Sequence, residues 1–132
     1  MSDLNEWAKT FLQQRDLLEG AIVKFEDVSD GFVVHRRDGL VRVFVFPVLQ
    51  KIDEIIFAPG VVKVMLLNKK QNLDFVLRDW KKLASKKDLC IFFVNPDVNE
   101  KWILYPHTHD QITEPAVLKS GLESLFSGVP RV

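Results

Sequence analysis

The sequence predicts a mixed α/β fold in which a central mixed β-sheet has helices on both faces. Three observations lead to this prediction: a helical pattern opens the chain, three short β-rich segments follow it, and a strand–helix–strand unit occupies the middle. The expected element order is α-β-β-β-(short α or irregular)-β-α-β-β-α. The 132 residues are expected to form a single domain, 1–132, because a chain of this length builds one hydrophobic core and no linker or repeat divides it.

The first element is an amphipathic helix from about Asp3 to Glu19. Its apolar residues recur at steps of three and four: Leu4, Trp7, Ala8, Phe11, Leu12 and Leu18. Ser2 or Asp3 is expected to cap its start, and Gly20 to end it. We therefore expect one helix that packs on the sheet through this apolar stripe.

Three strands follow, with the sequences AIVKFEDV, GFVVHRR and LVRVFVFP. The Asp-Gly pairs in SDG and RDG separate them, and such pairs favour tight hairpin turns. The third strand carries apolar residues on both of its faces. We therefore expect an antiparallel meander whose third strand lies inside the sheet and is covered from both sides.

The middle of the chain reads as a strand–helix–strand unit. VVKVMLL and LCIFFVN are buried strands, and a helical pattern from Asn72 to Ser85 lies between them. This unit makes the two strands parallel and places the helix on one face of the sheet. Before it, VLQKIDEIIFAPG fits a short helix or an irregular strand. After it, KWILYP is a further strand and EPAVLKSGLESLF is a closing helix with Pro115 in its first turn.

The composition indicates a soluble protein, and the cytoplasm is its expected location. Eighteen basic and eighteen acidic residues cancel, so no global field attracts nucleic acid or an acidic membrane. No apolar run approaches the roughly 20 residues that span a membrane. The N-terminal residues lack the apolar core of a secretory signal and the arginines of a transit peptide. Cys90, the single cysteine, lies in a buried strand, where its thiol is expected to pack as an apolar group.

The charges are unevenly distributed along the chain. From Lys63 to Lys87 there are eight basic residues and two acidic ones, a net of +6, so the rest of the chain carries −6. On the helix predicted from Asn72 to Ser85, basic residues form a ridge opposite the apolar stripe. This ridge either binds the phosphates of a nucleic acid or is a solvated helix face, and both interpretations stay open. The candidate nucleic-acid-binding residues are Lys69, Lys70, Arg78, Lys81, Lys82 and Lys86.

The segment PHTHD places His107, His109 and Asp110 within four residues. On an extended segment, two histidines at i and i+2 point to the same side, and imidazole and carboxylate groups are ligands that Zn²⁺ accepts. A zinc site needs at least three protein ligands with supporting contacts, and outside this stretch only His35 and Cys90 offer soft donors. These three residues are therefore candidates for metal binding that lack a further ligand.

We expect an architectural role for this segment instead. Pro106 is expected to end the strand, and Thr108 or Asp110 to cap a short turn of helix at DQIT. The two histidines are then partly exposed loop residues. No metal and no cofactor is expected on this interpretation.

Two enzyme classes lack their motifs in this sequence. No serine lies in a Gly-flanked elbow between a strand and a helix, so Ser-His-Asp catalysis has no support. The six glycines are isolated, so no Gly-rich phosphate-binding loop is present. Neither hydrolysis by a serine nucleophile nor nucleotide binding by such a loop is expected.

The segment KIDEIIFAPGVVKVMLLNKKQNLDFVLRDWKKL, followed by LCIFFVNPDVNEKWILYP and a late LKSGLESL helix, resembles the PD-(D/E)XK, or restriction-endonuclease-like, nuclease superfamily. In that family a helix carrying an acid precedes a strand with Asp. A second strand ends in a Glu-x-Lys triplet, and a helix and a further buried strand follow. The resemblance covers most of the chain through its element order, and it implies a catalytic set of Glu6, Asp53 and Lys69.

The sequence departs from that family at the triplet, which falls on LNK and puts Leu67 where the second metal-binding carboxylate belongs. The family's chemistry uses paired carboxylates to hold Mg²⁺ against the scissile phosphate, and Lys to stabilise the developing charge. The loss removes a competent Mg²⁺ site unless Glu54 or Glu26 replaces the missing acid. The alternative interpretation makes Asp53 and Glu54 surface acids and Lys69 a strand-end base.

The function expected from these features is a non-catalytic nuclease-like domain that acts as a binding or structural module for protein or nucleic acid. A metal-dependent nuclease with a migrated carboxylate is one alternative, and only this alternative requires Mg²⁺. A small oligomeric protein-interaction subunit is the other. Self-association is expected because aromatic residues are many and sheet edges need to be covered or paired.

Overall fold

A six-stranded mixed sheet forms the centre of the molecule, and helices pack on both of its faces, as predicted. The computed structural model describes residues 3–132, so Ser2, one of the two predicted helix caps, lies outside them. The strands are β1 (Ile22–Val28), β2 (Gly31–Arg36), β3 (Gly39–Phe46), β4 (Val61–Leu67), β5 (Leu89–Asn95) and β6 (Glu100–Leu104). The helices are α1 (Leu4–Arg15), α2 (Asp53–Phe57), α3 (Lys70–Arg78), α4 (Trp80–Ala84), α5 (Pro106–Ile112) and α6 (Pro115–Ser127).

The strands lie in the sheet in the order in which they occur along the chain. β1, β2 and β3 form the predicted antiparallel meander, and β3, β4 and β5 are parallel. β6 returns antiparallel to β5 at the far edge. The parallel pairs require crossovers, which α2 supplies between β3 and β4, and α3 with α4 between β4 and β5. The predicted strand–helix–strand unit is therefore confirmed.

One face of the sheet is covered by α1. Leu4, Ala8 and Leu12 are buried against inward-facing side chains of β2, β3, β4 and β5. At the start of the helix the Asp3 carboxylate accepts a hydrogen bond from the Asn5 amide at 2.9 Å, as predicted for a cap. This face has its own hydrophobic cluster, separate from that on the other side of the sheet.

The first helix is shorter than predicted, and Leu18 is not part of its apolar stripe. α1 ends at Arg15, and Leu18 is fully exposed, with a relative accessibility of 102%. The reason is Asp16, whose carboxylate accepts hydrogen bonds from the amides of Ala21 at 3.0 Å and Ile22 at 2.8 Å. These bonds turn the chain from the helix into β1 before the predicted end at Glu19.

The turn between β1 and β2 depends on Gly31. Asp30 adopts a left-handed conformation with φ of 61°, and Gly31 follows with φ of 142°. A Cβ atom at Gly31 would lie 2.1 Å from the carbonyl oxygen of Val43, closer than any side chain permits. The predicted Asp-Gly hairpin is confirmed, and its glycine is required by the close approach of β3.

The other face of the sheet is covered by α2, α3, α4 and α6, and α5 packs against α4. The ambiguous segment after β3 forms the short helix α2, and Pro115 begins α6 as predicted. The helix predicted from Asn72 to Ser85 is two helices, because Asp79 leaves the helical conformation with φ of −103° and ψ of 25°. None of the helices in residues 3–132 combines the length and the apolar character that crossing a membrane requires.

The end of β4 is held by Asn68, which is completely buried. Its side-chain oxygen accepts a hydrogen bond from the indole of Trp102 at 2.8 Å, and its amide donates to the carbonyl of Val129 at 2.9 Å. Its backbone N–H donates to Val94 at 2.8 Å, and its carbonyl accepts from the amide of Val132 at 3.1 Å. Asn68 therefore joins β4, β5, β6 and the C-terminal tail.

A second buried amide, Asn72, lies one turn into α3. Its oxygen accepts from the Leu49 amide at 2.8 Å, and its nitrogen donates to the carbonyls of Pro47 at 2.9 Å and Leu67 at 2.8 Å. These bonds fix the segment that leaves β3 against the end of β4. Buried amides with every polar atom paired hold a unique arrangement, because any displacement leaves a polar group unsatisfied.

We expect Asn68→Ala to lower the free energy of unfolding by about 2–4 kcal/mol, because it leaves the Trp102 indole N–H and a tail carbonyl buried without partners. Urea unfolding followed by fluorescence measures this. The exposed Gln71→Ala on α3 is the matched control, for which a change within about 0.5 kcal/mol is expected. Equal effects of the two substitutions would contradict the role given to Asn68.

Candidate functional site

The residues of the nuclease-like set lie in different parts of the molecule. Glu6 is exposed on α1, which covers one face of the sheet, and Asp53 begins α2, which packs on the opposite face. Lys69 precedes α3 as its N-cap residue, at the end of β4. The structure does not bring Glu6 and Asp53 together. Within residues 3–132, no group of three or more His, Cys, Asp or Glu side chains is arranged to hold a metal ion.

The positions considered as replacements for the missing carboxylate are also separate. Glu54 lies on α2, where its carboxylate is 3.8 Å from the ammonium of Lys51. Glu26 lies on β1, with its carboxylate 2.7 Å from the Nε2 atom of His35. Leu67, at the carboxylate position of the triplet, packs against the hydrophobic cluster under α1.

The PHTHD segment is helical, so the expectation of an extended or loop conformation is wrong. His107, His109 and Asp110 lie on α5, where residues two apart point in different directions. Asp110 accepts a hydrogen bond from the Trp80 indole at 2.8 Å, and the His107 Nδ1 atom lies 2.9 Å from the carbonyl oxygen of Ala84. These contacts join α5 to α4, which is an architectural role.

The basic residues of the predicted ridge mostly contact other groups of the protein. Lys70 pairs with Asp74 at 2.8 Å, and Lys86 donates to the carbonyl of Ala58 at 2.6 Å. Lys81 lies 3.3 Å from Asp110, and the guanidinium of Arg78 lies over the Phe75 ring, 4.3 Å from its centroid. The ammonium of Lys82 forms no hydrogen bond or ion pair with residues 3–132. The ridge is divided between α3 and α4 by the break at Asp79.

A pocket of about 400 Å³ opens on the opposite face of the sheet, between the last turn of α1 and the adjoining ends of β2, β3 and β4. Its apolar walls include Leu12, Ile22, Val34, Leu40, Val41 and Val61. Its cationic groups are Arg15, Arg36 and Lys63, and its acids are Asp16, Glu19 and Asp38. Apolar walls with a few charged groups are the usual composition of a small-ligand site.

Arg36 is neutralised within the pocket wall. Its guanidinium contacts Glu19 at 2.9 Å and Asp38 at 3.0 Å, and lies 3.7 Å from Asp16. The hydrogen bond to Asp38 raises the pKa of Arg36 above its ordinary value, although burial opposes this. Arg36 therefore organises the acids of the wall and has little positive charge left for a ligand.

Lys63 lies in the same pocket without such neutralisation. It belongs to β4, between Val43 of β3 and Cys90 of β5, and its side chain is half-buried. Its ammonium forms no ion pair with an acid in the part of the chain that the structure describes, and its nearest aromatic partner is the Phe92 ring at 5.7 Å. Arg15, at the mouth of the pocket, stacks on Phe11 and likewise pairs with no described acid.

The surroundings of Lys63 disfavour its positive charge. Burial lowers the pKa of Lys63, and the like charges of Arg15 and Arg36 lower it further, while Cys90 opposes them. An anionic group bound in the pocket would offset all three unfavourable contributions. The site is therefore electrostatically suited to an anion.

Cys90 is buried, as predicted, and is a free thiol. Burial raises the pKa of Cys90, while Lys63 and a hydrogen bond with the Tyr105 side chain act in the other direction. The neutral thiol is the form favoured at physiological pH, so Cys90 lacks the character of a nucleophile. Its side chain packs in the hydrophobic cluster between the sheet and α1.

Sequence reasoning did not identify Arg15 and Lys63 as a site. In the sequence Lys63 falls in the basic stretch from Lys63 to Lys87, but its side chain lies on the face of β4 that α1 covers, whereas α3 and α4 cover the other face. One signal was available: in VVKVMLL a lysine interrupts an apolar strand that is buried on both faces. The position of Arg15 relative to Lys63 depends on how α1 packs, which the pattern does not specify.

Comparisons with known proteins do not extend this description. No family model, no curated protein and no solved structure matched the chain.

We expect the contribution of Asp16 to stability to depend on pH in the acid range. The amide of Ile22 lowers the pKa of Asp16 most, and the Ala21 amide and Arg36 lower it further against the effect of burial. A carboxyl group whose native pKa lies below its unfolded value of 3.8 stabilises the fold above that pH and loses this contribution as the pH falls through the native value. Asp16→Asn should therefore be less stable than the wild type at neutral pH.

Thermal unfolding measured from about pH 7 to pH 2 should show this difference shrinking below about pH 4. Asp53→Asn is the control, because the Asp53 side chain is exposed and forms no hydrogen bond or ion pair with residues 3–132. A wild-type to Asp16→Asn difference that stays constant across this range would show that the Asp16 charge does not support the turn.

Proposed function

We propose that this chain is a non-catalytic binding module and that the pocket beneath α1 is its ligand site. The ligand is a small organic anion with a carboxylate or phosphate group on an apolar body. The observation that carries this proposal is the half-buried Lys63, which lines the pocket and whose ammonium has no acid partner among residues 3–132. Binding in place of catalysis is supported by the nuclease-like element order combined with Leu67 at the carboxylate position.

The charges of the pocket select an anion. A partly buried ammonium without a counter-ion is unfavourable, and a protein retains such a group where a ligand completes the pair. Lys63 and Arg15 are the two cations of the pocket without an ion pair among residues 3–132, whereas Arg36 contacts three acids. An anionic head group between Lys63 and Arg15 would form charge-assisted hydrogen bonds with both.

The apolar walls select the rest of the ligand. Leu12, Val34 and Val41 belong to the hydrophobic cluster under α1, and the pocket reaches this cluster from its end. A volume of about 400 Å³ is near the lower end of the range for small-ligand sites, roughly 300–1,000 Å³. A short hydrocarbon body therefore fits this site better than a large polar molecule.

Isothermal titration calorimetry with hexanoate, hexyl phosphate, inorganic phosphate and neutral hexanol tests the two parts of the ligand separately. We expect the two amphipathic anions to bind and hexanol to bind at least tenfold more weakly, about 1.4 kcal/mol. Lys63→Met should weaken the anions by at least the same factor, because it keeps the length of the side chain and removes the charge. Lys82→Met, which removes an exposed lysine of α4, is the matched control.

The same Lys63→Met variant should be more stable than the wild type, on the order of 1 kcal/mol at pH 7, because it replaces a half-buried unpaired charge by an apolar group. Urea unfolding measures this difference. Weaker anion binding with higher stability identifies a residue retained for binding. If Lys63→Met binds hexanoate and hexyl phosphate as the wild type does, or if neither protein binds them, the proposed ligand site is wrong.

Contact with a nucleic acid is a second candidate function, favoured by the exposure of Lys81 and Lys82 side by side on α4. The Lys81 side chain is 80% exposed, and its ion pair with Asp110 is open to solvent, so it can exchange for a phosphate. Lys82 is exposed, and its ammonium has no partner among the described residues. Arg78 lies nearby on the preceding helix, with its side chain also largely exposed.

If this face binds a phosphate backbone, affinity for DNA or RNA should fall steeply as salt rises, because each neutralised phosphate releases counterions. The double variant Lys81→Gln and Lys82→Gln should reduce the salt slope by about two and weaken all sequences alike. Fluorescence anisotropy between about 50 and 200 mM salt measures both effects. No binding by the wild type at low salt would leave the ridge as a solvated helix face.

A further inference from the structure

The outer edge of β1 is an unpaired strand edge. Within residues 3–132, β1 pairs only with β2, and five of its seven residues are exposed. Two of them, Val23 and Val28, are apolar, with exposed fractions of 65% and 37%. A strand edge of this length offers a row of backbone N–H and C=O groups to another strand.

The side chains of β1 are divided between the two faces of the sheet. Phe25 packs edge-to-face on Phe32 of the buried cluster under α1, and Asp27 pairs with Lys9 of α1 at 2.6 Å. Glu26 points to the other face, where it meets His35, and Lys24 shares that face by alternation. No residue of β1 or β2 within the described chain belongs to the cluster that α2, α3, α4 and α6 cover, so this part of the face is open.

We propose that two copies of this chain pair through β1, antiparallel, with Phe25 of one copy opposite Phe25 of the other. A two-fold axis perpendicular to the sheet generates this pairing and keeps α1 of both copies on the same face. Lys24 of each copy then lies opposite Glu26 of the other, and this pair occurs twice. The partner that fits this edge is therefore a second copy of the chain.

The charges select this register over its neighbours. If each residue of β1 stays on its own face of the sheet, the register between the two copies can shift only in steps of two residues. The smallest shift moves the two-fold axis from Phe25 to one of its neighbours in β1, Lys24 or Glu26. Centring it on Lys24 puts two ammonium groups directly opposite each other, and centring it on Glu26 does the same for two carboxylates. Like charges in these positions are destabilising, whereas opposite charges are favourable. Centring on Phe25 avoids both repulsions and makes two attractive pairs.

β1 has two features that in other proteins prevent an edge strand from pairing: a lysine and a β-bulge. Both are compatible with the register centred on Phe25. A lysine on an edge strand usually opposes pairing, but here Lys24 meets the carboxylate of Glu26. The register of β1 and β2 shifts between Ile22 and Lys24, which marks a bulge at Val23. This bulge lies outside the central residues 24–26, at the end of the paired segment near Val28 of the second copy.

Charge reversal tests the register directly. The mass is measured by sedimentation equilibrium from roughly 10 to 500 μM, since a single strand edge gives a small interface. We expect the wild type to move from its monomer mass of 15.2 kDa to twice that value. The Lys24→Glu variant has acids at both 24 and 26, and the Glu26→Lys variant has bases at both. Each variant alone should remain monomeric.

An equimolar mixture of the Lys24→Glu and Glu26→Lys proteins should form a heterodimer, because each acid then meets a base. The double variant, with both changes in one chain, should dimerise again as a homodimer. Lys82→Glu, a reversal on α4, and Lys63→Met, in the pocket, should dimerise as the wild type does. Circular dichroism and thermal unfolding confirm that each variant is folded.

These outcomes separate the proposal from its alternatives. A wild type that is monomeric throughout the concentration range overturns the dimer, and so does a mixture of the two single variants that stays monomeric. If the wild type dimerises and the Lys24→Glu protein dimerises equally well, the interface lies elsewhere on the molecule. Restoration of the dimer in both the mixture and the double variant supports the strand pairing centred on Phe25.

Discussion

The buried amide of Asn68 connects more elements of this fold than any other interaction described above. It lies where β4 ends and the chain turns into α3, and its polar atoms bind Trp102 of β6 and the carbonyl of Val129 in the tail. Asn72, four residues later, fixes the segment that follows β3 in the same way. The carboxyl ends of three parallel strands are thus held by two side chains whose partners are far apart in the sequence. The pocket lies at the opposite ends of these strands, beside the ion pairs of Arg36.

Most elements follow from local sequence signals, and the differences arise from contacts between distant residues. Alternation, Asp-Gly turns and helical periodicity predict the meander and the crossover because these signals act within one element. The end of α1 depends on bonds from Asp16 to the amides that begin β1, which no periodicity contains. The helix at PHTHD is supported by the contacts of His107 and Asp110 with α4. A pattern confined to that segment favours a loop.

The candidate site was less predictable than the fold, because it depends on which face each charge occupies. The positive charge between Lys63 and Lys87 looks like one basic region in the sequence. In the structure it is divided by the sheet, with Lys63 beneath α1 and Lys81 on the opposite side. The nuclease-like residues behave in the same way: Glu6 and Asp53 are ordered along the chain as the resemblance requires, yet they belong to helices on different faces. Element order therefore carries less information about a site than it does about a fold.

The order of the strands in the sheet has a consequence for how the chain reaches this structure. Each strand pairs with its neighbours in sequence, from β1 to β6, so every addition to the sheet closes only the segment between two consecutive strands. This segment is a tight turn in the antiparallel pairs and a helical crossover in the two parallel pairs. Short loops cost little conformational entropy, and folds built from them form rapidly for their size. The tail beyond α6 is the exception, since it returns to Asn68 and Asn95 across more than thirty residues. The sheet can therefore form by the successive addition of neighbouring strands, while the bonds from Asn68 to Val129 and from Asn95 to Pro130 form only once the tail has packed.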